Sequence, residues 1–98
     1  MLYLTVDGEL SGTGIRDSVN GGYLHPEELG LHERTQKRMS AWVNRYEHAH
    51  YSGFSDQNLV NQLDEEGLAI CGLVRAELSE VKVEYYSHAR GERLLIHK

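Results

Sequence analysis

Cysteine, proline, tryptophan and phenylalanine each occur once in the 98 residues. The single thiol, Cys71, has no partner for an internal disulfide, so packing and hydrogen bonds must hold the fold. No apolar run approaches the roughly 18 residues that a membrane span requires. The opening segment, Met1-Leu2-Tyr3-Leu4-Thr5-Val6-Asp7, has neither the basic flank nor the long apolar stretch of a signal peptide. A cytoplasmic setting, with no membrane contact, is therefore the expectation. Cations are scarce as well: 10 Lys and Arg stand against 15 Asp and Glu, a formal net charge of −5. The imbalance is uneven, because residues 1–80 carry 6 basic and 13 acidic side chains and residues 81–98 carry 4 and 2. An acidic body repels a phosphate backbone, which argues against nucleic-acid binding and suits a basic protein partner. The same charge also serves simply to keep an ordinary protein dispersed.

What is present is periodicity. A chain of this length supports one modest core, so residues 1–98 are read as a single domain. Leu2, Leu4 and Val6 alternate with Tyr3 and Thr5, the pattern of a short strand. Ile15–Val19 is a candidate second strand, followed by the turn Asn20-Gly21-Gly22. Pro26-Glu27-Glu28-Leu29-Gly30 reads as one helical turn, with proline at its start and glycine at its end. A first long helix is expected over Leu31–Tyr51. There Met39, Trp42, Val43, Tyr46, Ala49 and His50 form a stripe about 120° wide, and Arg34, Lys37, Arg38, Ala41, Arg45 and His48 lie opposite or along its border. Gly53 stops it.

Asp56 or Ser55 can cap a second helix that runs to Leu78. Its apolar positions, Leu59, Val60, Leu63, Ile70, Cys71, Leu73, Val74 and Leu78, span about 200° of the wheel. A stripe that wide must touch more than one neighbour, which places this helix against both the first helix and a sheet. Val81, Val83 and Tyr85 alternate with Lys82, Glu84 and Tyr86 in a third strand, and Arg93–His97 is expected to return as an edge strand. The fold class is α+β: two long antiparallel helices packed on a small sheet built from an N-terminal strand and a C-terminal strand or hairpin.

The run Tyr23-Leu24, Glu28-Leu29-Gly30-Leu31, Trp42, Tyr46-Glu47, Glu66-Gly67-Leu68-Ala69, Leu73, Leu78 and Val83-Glu84-Tyr85 resembles a class of small bacterial proteins. Some of these are similar to immunity proteins encoded beside polymorphic or contact-dependent toxins. The resemblance implies an α/β fold and a cytosolic, non-enzymatic binding role. It carries over no catalytic residues. It departs from the pattern at His32, where a serine or threonine cap is usual.

Six histidines raise the question of a metal. His48 and His50 point about 200° apart on a helix and cannot share an ion, whereas Glu47 and His50 are neighbours. Both histidines also suit the negative end of the helix, and no cofactor or metal is expected. Gly12-Thr13-Gly14-Ile15-Arg16-Asp17 resembles the start of a phosphate loop. It has Asp17 in place of the third glycine, no following helix and no Walker lysine. Cys71 lies on the core stripe and reads as a small apolar residue.

Asp64, Glu65 and Glu66 fan around their helix, so they do not form an acid–base pair. With Glu77 they are the expected acidic contact patch, and Tyr86, facing outward near Lys82, is the expected anchor. A row of small residues on the far side of the second helix, Ala69, Gly72 and Ala76, is the expected contact if the chain forms a homodimer. The leading expectation is a small protein-binding module of the immunity type that occludes a basic toxin. The alternative is a homodimeric structural or regulatory protein. A small enzyme using His50, His88 or Cys71 stands behind both, since these residues have no recognisable mutual spacing.

Overall fold

The computed structural model describes residues 1–94. Strand β1 (Leu2–Asp7) and the short β2 (Ile15–Asp17) lead through a 3-10 turn at Pro26–Leu29 into helix α1 (Glu33–Tyr51). Helix α2 (Gln57–Glu77) follows, then β3 (Val81–Ser87) and β4 (Glu92–Leu94). The edge strand expected over Arg93–His97 is met by β4, and its last three positions lie outside the described residues. The sheet order is β2-β1-β3-β4. β1 and β3 pair in parallel at the centre, with Leu4 opposite Val83 and Val6 opposite Tyr85, while β2 and β4 pair antiparallel outside them. Two parallel neighbours need a long crossover, and β2, α1 and α2 supply it.

The helices run antiparallel through one five-residue turn. Arg38 meets Glu66, Trp42 meets Leu63 and Arg45 meets Gln62, so the numbering rises along one helix as it falls along the other. Gly53 (φ 69°) and Phe54 (φ 56°) turn the chain after α1. Asp56 then caps α2, its side chain accepting from the Asn58 and Leu59 amides at 3.0 and 3.2 Å. α1 starts without a side-chain cap at His32. Glu77, at the end of α2, fills the gap: its carboxylate accepts the His32 amide at 2.8 Å and the Thr35 hydroxyl. A carboxylate at that point also suits the positive end of the helix.

Both helices cover one face of the sheet. Leu4, Val6, Ile15 and Tyr85 from the strands join Met39, Trp42, Tyr46, Leu63, Ile70, Cys71 and Val74 in one buried cluster. Trp42 stands edge-on to Tyr46 at 5.3 Å and gives its indole N–H to the Leu63 carbonyl at 2.8 Å. The wide apolar stripe of α2 meets α1 on one side and β3 on the other, as its breadth predicts. Gly67 makes this possible, because a Cβ there would collide with the Tyr85 ring.

Candidate functional site

Among the described residues, no helix lies over the other face of the sheet. By strand alternation and register, Tyr3, Thr5 and Asp7 of β1 point to that face, beside Lys82, Glu84 and Tyr86 of β3. Arg16 lies next to Thr5, and Arg93 next to Tyr86. Three rows therefore cross the sheet: Tyr3 with Lys82, Arg16 with Thr5 and Glu84, and Asp7 with Tyr86 and Arg93.

Thr5 and Asp7 are each only 1% exposed, although no helix among the described residues covers them. Longer neighbours pave them over. The Asp7 carboxylate receives Arg16 Nε at 2.7 Å and the Tyr23 hydroxyl at 2.6 Å, and the Glu9 amide donates to it at 3.3 Å. His88 lies 4.0 Å from Asp7 and 3.5 Å from Glu9, and the Tyr86 ring stands edge-on to it at 5.0 Å. The hydrogen bond to Asp7 raises the Arg16 pKa further above its ordinary value. Burial, then the bond to Asp7, holds the Tyr23 hydroxyl protonated well past its usual range. Thr5 bonds the Ser18 hydroxyl at 2.7 Å and donates to Glu84 at 3.1 Å, while Arg93 lies 3.5 Å from Glu84. A groove of 280 Å³ opens beside this network, between Tyr3, Ser18, Lys82 and Glu84. The arrangement is a hydrogen-bonded platform with tyrosines at its surface.

The residues expected to form an acidic patch are placed differently from one another. Asp64 is buried, accepting the Tyr85 hydroxyl and Arg90 Nε, each at 2.7 Å. Glu66 forms a bidentate pair with Arg38 at 3.0 and 2.7 Å. Glu77 caps α1. Glu65 is exposed. Tyr86 is half-buried on the sheet face, the side opposite the helices. Ala69, Gly72 and Ala76 are exposed, and nothing lies within 4 Å of a Cβ built on Gly72.

His50 and His88, far apart in sequence, approach to 6.0 Å between ring centres. His50 contacts the Gly8 carbonyl through Nε2 at 2.8 Å and packs on Tyr46 and Phe54, so its ring is committed to holding the β1–β2 loop on α1. His97 lies outside the described residues. Among the described residues no group of three or more histidine, cysteine or carboxylate side chains is placed to share a metal ion. Gly12 and Gly14 pack beneath Tyr23 and Met39, and Thr13 bonds the Leu24 and Ile15 carbonyls, so this loop is taken up by internal contacts. Cys71 is fully buried, and burial pushes its thiol up to about 12. Among the described residues no helix is long and apolar enough to cross a membrane.

Sequence reasoning missed the platform. Its signal was Asp7, a charge in phase with Tyr3 and Thr5, and Arg16, a charge inside a short strand.

A family model described as Serratia CdiI immunity protein-like matches residues 2–88 of the chain. No curated protein matches it.

Proposed function

The chain belongs to the Serratia CdiI immunity protein-like family, and from that membership we propose that it binds a protein toxin and silences it by covering the toxin's working surface. The match over residues 2–88 carries this reading, since it takes in both helices and strands β1, β2 and β3. A net charge of −5 supports a basic toxin as the partner. Opposite net charges speed encounter, so association should slow as salt rises. In this reading Tyr86, half-buried on the sheet face, is an anchor. The complex forms in the cytoplasm, before the toxin reaches its target.

Co-expression tests the reading. Cells producing candidate toxins from the same genome should, for one of them, grow when the chain is present and stop when it is withdrawn. Unrelieved growth arrest at matched expression would count against it.

A further inference from the structure

We propose that the uncovered face of the sheet is the surface that seats the toxin, and that the toxin patch it takes carries carboxylates around an apolar side chain. This deepens the toxin-binding reading and rests on it.

Among the strand residues of this face the exposed charges are the cations Lys82 and Arg93, and Glu84 between them is half-buried. Lys82 is exposed and has no acidic partner within 4 Å among the described residues. Arg93 is 72% exposed, and its 3.5 Å contact with Glu84 is loose. Such an exposed pair contributes little, so Arg93 is free to exchange it for a better one. The Arg16 side chain is one-third exposed, above an Asp7 only 1% exposed. The acids of the face have internal partners: buried Asp7 holds Arg16 and Tyr23, Glu84, 38% exposed, accepts from Thr5, and Glu9, 49% exposed, lies 3.5 Å from His88. A carboxylate arriving from outside therefore meets Lys82 and Arg93 first.

Beside Lys82 the groove is walled by Tyr3, 44% exposed, with Ser18 at its side. A tyrosine wall beside a small cleft takes an apolar side chain. The platform is ordered before any partner arrives, because Thr5, Ser18, Glu84, Asp7, Arg16 and Tyr23 are already bonded to one another. Pre-ordering lowers the entropy cost of association. The helical side offers the opposite case, for Asp64, Glu66 and Glu77 are each held by internal partners. Long-range steering by the whole chain's negative charge and short-range recognition by this cationic face act at different distances and are compatible.

The test titrates a toxin that the chain neutralises in co-expression, in an inactive form, with four proteins: wild type, Lys82→Glu/Arg93→Gln, Tyr3→Ala, and Glu65→Lys as a control on the helical side. Thermal melts read by Trp42 fluorescence establish that each is folded. The double variant should bind about 30-fold more weakly, with the loss greatest at low salt, as for charge pairs desolvated on binding. Tyr3→Ala should lose about tenfold, and Glu65→Lys should bind within about twofold of wild type. Should the double variant fold poorly, Lys82→Ala alone, at an exposed site, should still lose about fivefold. Full affinity in the charge and tyrosine variants overturns this surface while leaving toxin binding intact. Loss confined to Glu65→Lys moves the contact to the helices and overturns it too. Failure of the wild type to bind removes the toxin-binding reading itself. Self-association of the chain, abolished by the double variant, would assign the face to a second copy and overturn the proposal.

Discussion

Glu77 stands where the start of α1 lacks a cap. Burial alone would raise its pKa, but hydrogen bonds from the Thr35 hydroxyl and the His32 amide, aided by the His32 ring, outweigh that and leave it below the ordinary 4.5. A carboxylate with a lowered folded pKa stabilises the fold above about pH 4.5 and loses that contribution as the pH falls through the folded value. Glu77→Gln should therefore cost about 1–2 kcal/mol in urea melts at pH 7 and much less at pH 3. An equal cost at both would refute the role. Asp64 presents a harsher case. Removing it leaves Arg90 and the buried Tyr85 hydroxyl without their acceptor, so Asp64→Ala should lose about 3 kcal/mol or more of stability. The sequence shows Asp64-Glu65-Glu66 as one acidic run, and nothing in its spacing says that the first is buried. That depends on Arg90, which the β3–β4 turn brings in from 26 residues away. Cys71 behaves as its stripe position predicts. With the thiol pushed up to about 12, it should be inert to thiol reagents at pH 8 until the protein unfolds. Its raised value should also make stability fall as the pH rises from about 9 toward 12.

The elements themselves were largely legible. Alternation marked β1 and β3, helical periodicity marked α1 and α2, and the breadth of the α2 stripe placed that helix against two neighbours. Strand order was not legible, because the parallel pairing of β1 with β3 joins segments about 80 residues apart. The two interior glycines of α2 show the limit of local reasoning. Propensity treats Gly67 and Gly72 alike, yet one faces the Tyr85 ring and the other faces open space. Gly67→Ala should destabilise by about 3 kcal/mol, since the ring is locked in the core. Gly72→Ala should stabilise by about 0.5–1 kcal/mol by removing the entropy cost of a helical glycine. Chemical melts of the two variants decide it, and equal effects would contradict the packing described here. The missing cap at His32 was visible as an anomaly in the sequence, but its remedy at the end of α2 was not.

At the scale of the whole molecule the chain has two unlike sides. The helical side pairs Arg38 of α1 with Glu66 of α2 and holds Asp64 and Glu77 by internal hydrogen bonds, while the sheet side carries tyrosines over a bonded polar network. The resemblance to immunity proteins was readable from core-type residues, and the family match agrees with it. The site was much less readable: Tyr86 was singled out, while Tyr3, Arg16, Lys82 and Arg93 gather only when β2, β1, β3 and β4 align. The expected homodimer contact, Ala69, Gly72 and Ala76, lies exposed on α2. If that row joins two copies, Gly72→Leu should shift a dimer to monomer in sedimentation, and an unchanged monomer in both proteins removes it. The most direct measurement is a calorimetric titration of a toxin that the chain neutralises in co-expression, in an inactive form, with this chain at low and high salt. The account predicts saturable one-to-one binding that weakens as salt rises. No heat and no complex at either salt, with both proteins folded, would contradict it.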